Sequence, residues 1–122
     1  MILVDTSVWI DHLRPPVKEL EALLTERRVS THPLVRLELA LGSITNRDVV
    51  LASIAALPHV TLAGTDELFL LVERRKLSRR GIGVTDLHLL ASCLITPGTQ
   101  LWTRDHRLSE VSSELNISSN VP

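Results

Sequence analysis

Short apolar runs alternate along this chain with longer segments whose apolar residues recur at helical spacing. The short runs predict buried strands at residues 2–4, 29–32, 59–63 and 100–103, with a fifth, edge strand near Ile117. The longer segments predict helices at residues 8–13, 17–27, 34–41, 47–57, 65–78 and 85–95, and a last helix that Asp105 opens. Such alternation is typical of a parallel sheet with helices on both faces. We therefore expect one α/β domain over residues 1–122, with three α/β/α layers and a parallel sheet of four or five strands.

Cysteine content and apolar run lengths exclude several classes of protein. The 122 residues include one cysteine, Cys93, so there is no internal disulfide and no thiolate set for a zinc ribbon or an iron–sulfur cluster. We expect the protein in the reducing environment of the cytoplasm. The longest apolar stretch is residues 49–57, whereas a membrane helix needs about 20 residues, and the first residues contain no basic leader. Neither a membrane span nor a signal peptide is therefore expected.

Two acidic residues follow apolar runs at the ends of predicted strands. Asp5 comes directly after residues 2–4, and Asp105 comes two residues after the run that ends at Thr103. Ligands bind at the carboxyl ends of the strands in open parallel sheets, so both residues are expected at one edge. Glu38 and Asp86 lie in predicted helices that can lean over the same edge.

A cluster of four carboxylates is costly unless a cation compensates it. Mg²⁺ and Mn²⁺ prefer carboxylate and water ligands, and such ions stabilise the displacement at a phosphodiester. Each acid also has a purely structural alternative. Asp5 and Asp105 can cap helices, Asp86 can favour a helix dipole in a first turn, and Glu38 can face solvent. Convergence on one edge favours the metal site over four separate structural roles.

Basic residues are almost all arginine. The chain has 13 basic and 14 acidic residues, and apart from the four candidate acids only 10 acidic residues remain. Five basic residues fall within positions 74–80. Arginine around an acidic, metal-filled pocket suits the phosphate backbone of a nucleic acid. The alternative for residues 74–80 is a solvated helix end, where cations are favourable. Only three aromatic residues are present, which argues against a base-stacking platform.

Four segments in order resemble the motifs of the PIN-domain ribonucleases, and within them the VapC toxins of bacterial and archaeal toxin–antitoxin pairs. The resemblance covers nearly the whole chain, and its segments are residues 3–10, residues 31–42 with Glu38, residues 81–92 with Asp86, and residues 101–105. It implies a PIN-like fold and an endoribonuclease that depends on Mg²⁺ or Mn²⁺. Asp5, Glu38, Asp86 and Asp105 would be its catalytic and metal-binding residues, with Thr6 and Thr103 orienting them. It also implies an RNA substrate, a cognate antitoxin and a homodimer.

Three other functions compete with this interpretation. A PIN nuclease outside any toxin system is one, and a PIN-like module that only binds RNA or a partner is another. The presence of all four acids argues against the binding module. A phospho-acceptor receiver domain would need a late lysine after a strand, and neither Lys18 nor Lys76 follows one. The leucine-rich segments 17–24 and 49–57 carry more apolar surface than a small core can hide, which also favours a homodimer.

Overall fold

Three parallel strands form the centre of the molecule, in a computed structural model that describes all 122 residues. The strands are β1 (Ile2–Val4), β2 (Val29–Ser30) and β3 (Gln100–Trp102), in the spatial order β2-β1-β3. In the register of the sheet, Ile2 lies opposite both Val29 and Gln100. All three residues of β1 are buried. Because successive strand residues point to opposite faces, both faces of the sheet are covered, as the α/β prediction requires.

Seven helices connect and cover these strands. They are α1 (Thr6–His12), α2 (Lys18–Thr25), α3 (Pro33–Leu41), α4 (Arg47–Ala55), α5 (Thr65–Arg75), α6 (Val84–Ile95) and α7 (His106–Glu114). Helix α3 illustrates how the local sequence determines where a helix begins and ends. Pro33 occupies the first turn, where its missing N–H costs nothing, His32 Nδ1 accepts the Leu34 N–H at 3.0 Å, and the helix ends at Gly42. No helix is both long and apolar enough to cross a bilayer.

The predicted count of four or five strands is wrong, because two of the expected strands are single parallel bridges. The segment expected at 59–63 pairs only where His59 lies beside Thr31, and the segment near Ile117 pairs only through Ser118 beside Leu101. The first segment leaves the sheet after one residue because the Thr61 N–H bonds to the Thr96 hydroxyl at 3.0 Å instead of to a strand. Both segments flank the three-stranded sheet at the positions expected for outer strands.

The sequence predicted exposed apolar surface on residues 17–24, but the apolar residues of this segment are mostly buried. Val17, Leu20 and Leu23 are buried in the core. The large exposed apolar side chains lie elsewhere, mainly on α3 and α4 and on α5 and α6. The most exposed among them are Leu41 (82%), Val84 (72%), Val49 (68%) and Phe69 (68%).

Candidate active site

Asp5 is a buried carboxylate at the carboxyl end of β1. It is the N-cap of α1, and its Oδ2 accepts the Ser7 N–H at 3.4 Å, the Ser7 hydroxyl at 2.7 Å and the Thr103 hydroxyl at 2.7 Å. Its Oδ1 has no hydrogen-bond partner in the protein. The capping role that the sequence offered as an alternative is therefore real. It occupies only one of the two oxygens and leaves the other for a ligand.

Asp105 reaches the same edge from β3. Thr103 follows β3 directly, and its hydroxyl oxygen accepts the Asp105 N–H at 3.0 Å while its proton goes to Asp5. Asp105 is the N-cap of α7, where its Oδ1 accepts the Leu108 N–H at 2.9 Å. One threonine hydroxyl thus links two of the acids.

Glu38 comes to this edge from α3. Its Oε1 accepts the Thr6 hydroxyl at 2.7 Å, and Thr6 is the residue directly after Asp5. The glutamate is exposed, as its position inside the helix suggested, but its direction is set by this hydrogen bond. The two threonines expected beside the acids therefore each donate to one of them, Thr6 to Glu38 and Thr103 to Asp5.

Asp86 lies in the first turn of α6, where its Oδ2 accepts the Gly83 N–H at 3.1 Å. Partial burial raises the pKa of Asp86, and the hydrogen bond from Gly83 lowers it. The negative charges of Asp5, Asp105 and Glu38 raise this pKa further. Asp86 is therefore within electrostatic range of the other three acids.

The four carboxylates share one pattern. Each has one oxygen held by a protein donor and one without such a partner, and none forms an ion pair with a basic residue. No group of three or more acidic, histidine or cysteine side chains is arranged closely enough to hold a metal ion by itself. Mg²⁺ usually keeps several waters and binds through one or two carboxylates plus a substrate phosphate. A loose set of uncompensated carboxylates fits this mode of binding.

Ser7 belongs to the site, although the sequence did not single it out. Its hydroxyl donates to Asp5 and accepts the Arg104 N–H at 3.0 Å. Two signals in the sequence point to it: it lies within residues 3–10, which resemble the first PIN motif, and it lies two residues after Asp5, where an N-cap side chain accepts a backbone N–H. Arg104 itself turns away from the acids, because its guanidinium pairs with Asp11 at 2.8 Å.

The basic run at residues 74–80 behaves mostly as a helix end. Arg74 and Arg75 form the last turn of α5, where cations are favourable. Arg80 forms ion pairs with Glu110 and Glu114 of α7. The run therefore ends α5 and, through Arg80, contacts α7.

Comparisons with known proteins show the family to which the chain belongs. The family model described as PIN domain matches residues 2–114, and the chain belongs to this family. It is similar to Ribonuclease VapC32 from two strains of Mycobacterium tuberculosis, CDC 1551 / Oshkosh and ATCC 25618 / H37Rv. Each relative is 48% identical over 118 residues, which cover 97% of this chain and 95% of the relative. The resemblance to VapC-type PIN ribonucleases seen in the four sequence motifs is confirmed.

Proposed function

We propose that this chain is an endoribonuclease that depends on Mg²⁺ or Mn²⁺, hydrolyses RNA phosphodiester bonds and is the toxin of a type II toxin–antitoxin pair. One observation carries the chemistry. Asp5 and Asp105 follow parallel strands at the carboxyl edge of a PIN-domain sheet, Glu38 bonds to Thr6 at that edge, and Asp86 is in electrostatic range of all three. Each carboxylate has one oxygen free of protein partners, and none is neutralised by a basic residue. The high identity to proteins named as ribonucleases supports RNA as the substrate.

Asp5, Glu38, Asp86 and Asp105 are the residues that would hold the divalent ion. When bound, the ion supplies an activated water and offsets the negative charge that develops on the phosphate. Neighbouring hydroxyl groups form hydrogen bonds with these carboxylates. The hydroxyls of Ser7 and Thr103 donate to one oxygen of Asp5 and orient its carboxylate.

Thr6 and Thr103 act as positioning residues in this proposal. Each donates to one oxygen of an acid at 2.7 Å and so fixes which oxygen faces the substrate. Charge-assisted hydrogen bonds of this kind are about twice as strong as neutral ones. The carboxylates are therefore oriented before RNA arrives, which lowers the cost of assembling the site.

Assembly with a second copy and with an antitoxin belongs to the same proposal. Exposed apolar side chains occupy two separate faces, one on α3 and α4 that includes Leu41, and one on α5 and α6 that includes Phe69. Two faces allow a homodimer and a bound antitoxin to form without competing for one surface. Light scattering at micromolar concentration should give the mass of a dimer, and a monomer would contradict this part.

The activity is tested with purified protein and single-stranded RNA, with a DNA of the same sequence as the matched substrate. We expect RNA cleavage with Mg²⁺ or Mn²⁺, no cleavage with EDTA, and no cleavage by Asp5→Asn. In cells, expression should stop growth, and co-expression of the cognate antitoxin should restore it. A protein that binds RNA but never cuts it would indicate a binding module, and cleavage without growth arrest would indicate a PIN nuclease outside a toxin system.

A further inference from the structure

Arg107 is an exposed arginine at the acidic edge that the chemistry above does not use. It is the second residue of α7 and lies two residues after Asp105. Its side chain extends across to Gly81, in the loop that leads into Gly83 and Asp86. Arg107 therefore spans the two chain segments that supply two of the four acids.

Gly81 leaves room for the Arg107 side chain because it has no Cβ. A Cβ at position 81 would lie 2.6 Å from Arg107 Cδ, 2.6 Å from its Nη1 and 3.0 Å from its Cζ. The two distances of 2.6 Å are shorter than real Cβ contacts, so the guanidinium end of Arg107 packs directly against the glycine backbone. Gly81 also has φ +78, a conformation that side-chain-bearing residues rarely adopt.

The guanidinium of Arg107 forms no ion pair and no side-chain hydrogen bond. Its two arginine neighbours differ in this respect, because Arg104 is paired with Asp11 and Arg80 with Glu110 and Glu114. Arginine carries five N–H donors in a rigid fork that matches a phosphate. The Arg107 side chain thus lies against Gly81 while its donors stay available.

We propose that Arg107 binds a backbone phosphate of the RNA strand beside the bond that is cut. This inference rests on the proposed ribonuclease function. Four carboxylates repel a polyanion, and a cation fixed next to two of them offsets that repulsion where the strand must lie. The contact of the guanidinium with Gly81 reduces the conformational freedom that the side chain loses when RNA binds.

The test measures binding and cleavage separately. Binding of a fluorescein-labelled single-stranded RNA is followed by anisotropy in EDTA, where the strand stays intact, at several salt concentrations. The variants are Arg107→Ala, Arg107→Lys and a matched control, Arg28→Ala. Arg28 is an exposed arginine that precedes β2 and so lies at the opposite, amino edge of the strands.

We expect Arg107→Ala to weaken RNA binding about tenfold at low salt, the effect of losing one contact to a charged group. The slope of log K against log salt should fall in magnitude by about 0.7, the value for one phosphate on a single strand. With Mg²⁺, KM should rise while kcat and the metal-induced rise in melting temperature stay unchanged. Arg107→Lys should recover part of the affinity, and Arg28→Ala should bind as the wild type does.

Wild-type affinity and salt slope in Arg107→Ala, with a wild type that cuts RNA, would overturn the Arg107 assignment and leave the nuclease function intact. An equal loss in Arg28→Ala would also overturn it, because general charge would then explain the effect. A wild type that neither binds nor cuts RNA would instead remove the proposed function.

Discussion

Thr103 Oγ1 donates a hydrogen bond to Asp5 Oδ2 over 2.7 Å, although 98 residues separate the two in the chain. The contact follows from the sheet, because β1 and β3 are parallel neighbours with Val4 opposite Trp102. The residue after each strand therefore arrives at the same edge. Since the Thr103 oxygen also accepts the Asp105 N–H, one hydroxyl fixes the relative positions of two acids.

Replacing Thr103 with valine should impair cleavage more than RNA binding. Valine has a similar shape but removes the donor to Asp5 and the acceptor for the Asp105 N–H, which costs about 1–3 kcal/mol of stability. Loss of alignment should lower kcat by about 10- to 100-fold with little change in KM. Thr103→Ser keeps the hydroxyl and should stay near wild type. Urea unfolding measures the stability of these variants, and steady-state cleavage measures their activity. If Thr103→Ser is impaired as strongly as Thr103→Val, the effect comes from packing and not from the hydroxyl.

Asp5→Asn should keep the fold and abolish activity. Asparagine caps a helix about as well as aspartate, and its carbonyl oxygen can accept the hydrogen bonds of Ser7 and Thr103. It also removes one of four mutually repelling charges, so the metal-free protein should melt at the same or a higher temperature. Cleavage should fall by orders of magnitude because the proposed metal loses a ligand.

The effect of metal ions on the melting temperature distinguishes a metal ligand at Asp5 from a residue that only caps α1. Stabilisation by a bound ion follows RT ln(1 + [L]/Kd), so a weaker site in Asp5→Asn gives a smaller rise in melting temperature with Mg²⁺ or Mn²⁺. The control is Asp48→Asn, whose carboxylate is fully exposed on α4. An Asp5→Asn variant with wild-type cleavage and an unchanged metal effect would remove Asp5 from the site.

The proximity of Asp5 and Thr103 could be predicted from the sequence because it depends on strand pairing and not on side-chain detail. Asp5 follows one apolar run and Thr103 ends another, and parallel strands bring such positions together. The choice between a cap and a ligand could not be made in this way. Both Asp5 and Asp105 are N-caps and also keep an unbonded oxygen, because a carboxylate has two.

Features that depend on distant contacts could not be predicted. Ser7 enters the site through Thr103 and Arg104, which lie 96 and 97 residues away. The expected strand at 59–63 has suitable apolar residues, but its pairing ends where Thr61 bonds to Thr96 instead. Helix α2 ends at Thr25 and not at residue 27, where Arg27 has φ 56 and cannot continue a right-handed helix.

His32 makes the stability of this protein sensitive to mild acid. It is buried at the start of α3, where its Nδ1 accepts the Leu34 N–H and its ring meets the His88 ring edge to face at 5.7 Å. Burial, and then electrostatic interaction with His88 and His59, lower the pKa of His32 from 6.5 to about 4. Between these two pH values, His32 is neutral in the folded protein and protonated in the unfolded chain.

Stability should fall as the pH decreases from about 6.5 to about 4, the window set by the two pKa values of His32. The unfolded chain binds more protons in this window, so the loss can reach about 3 kcal/mol. Asparagine at position 32 can still cap α3 but does not titrate, so His32→Asn should lose much less stability over the same range. Urea unfolding at several pH values tests this, and an equal pH dependence in both proteins would contradict it.

Gly81→Ala should weaken RNA binding by moving Arg107. The new Cβ would meet the flexible end of the Arg107 side chain at 2.6 Å, and the cheapest relief is to displace that side chain. The positive φ adds a stability cost of about 1–2 kcal/mol. The control is Gly98→Ala, because Gly98 has a similar φ of +72 but no atom within 4 Å of its added Cβ. Gly98→Ala should lose comparable stability and keep wild-type RNA affinity.

In the Arg107→Ala background, Gly81→Ala should cause no further loss of affinity, because the group it displaces is already absent. Anisotropy with labelled RNA on the single and double variants measures this coupling, and independent, additive losses would show that Gly81 does not act through Arg107.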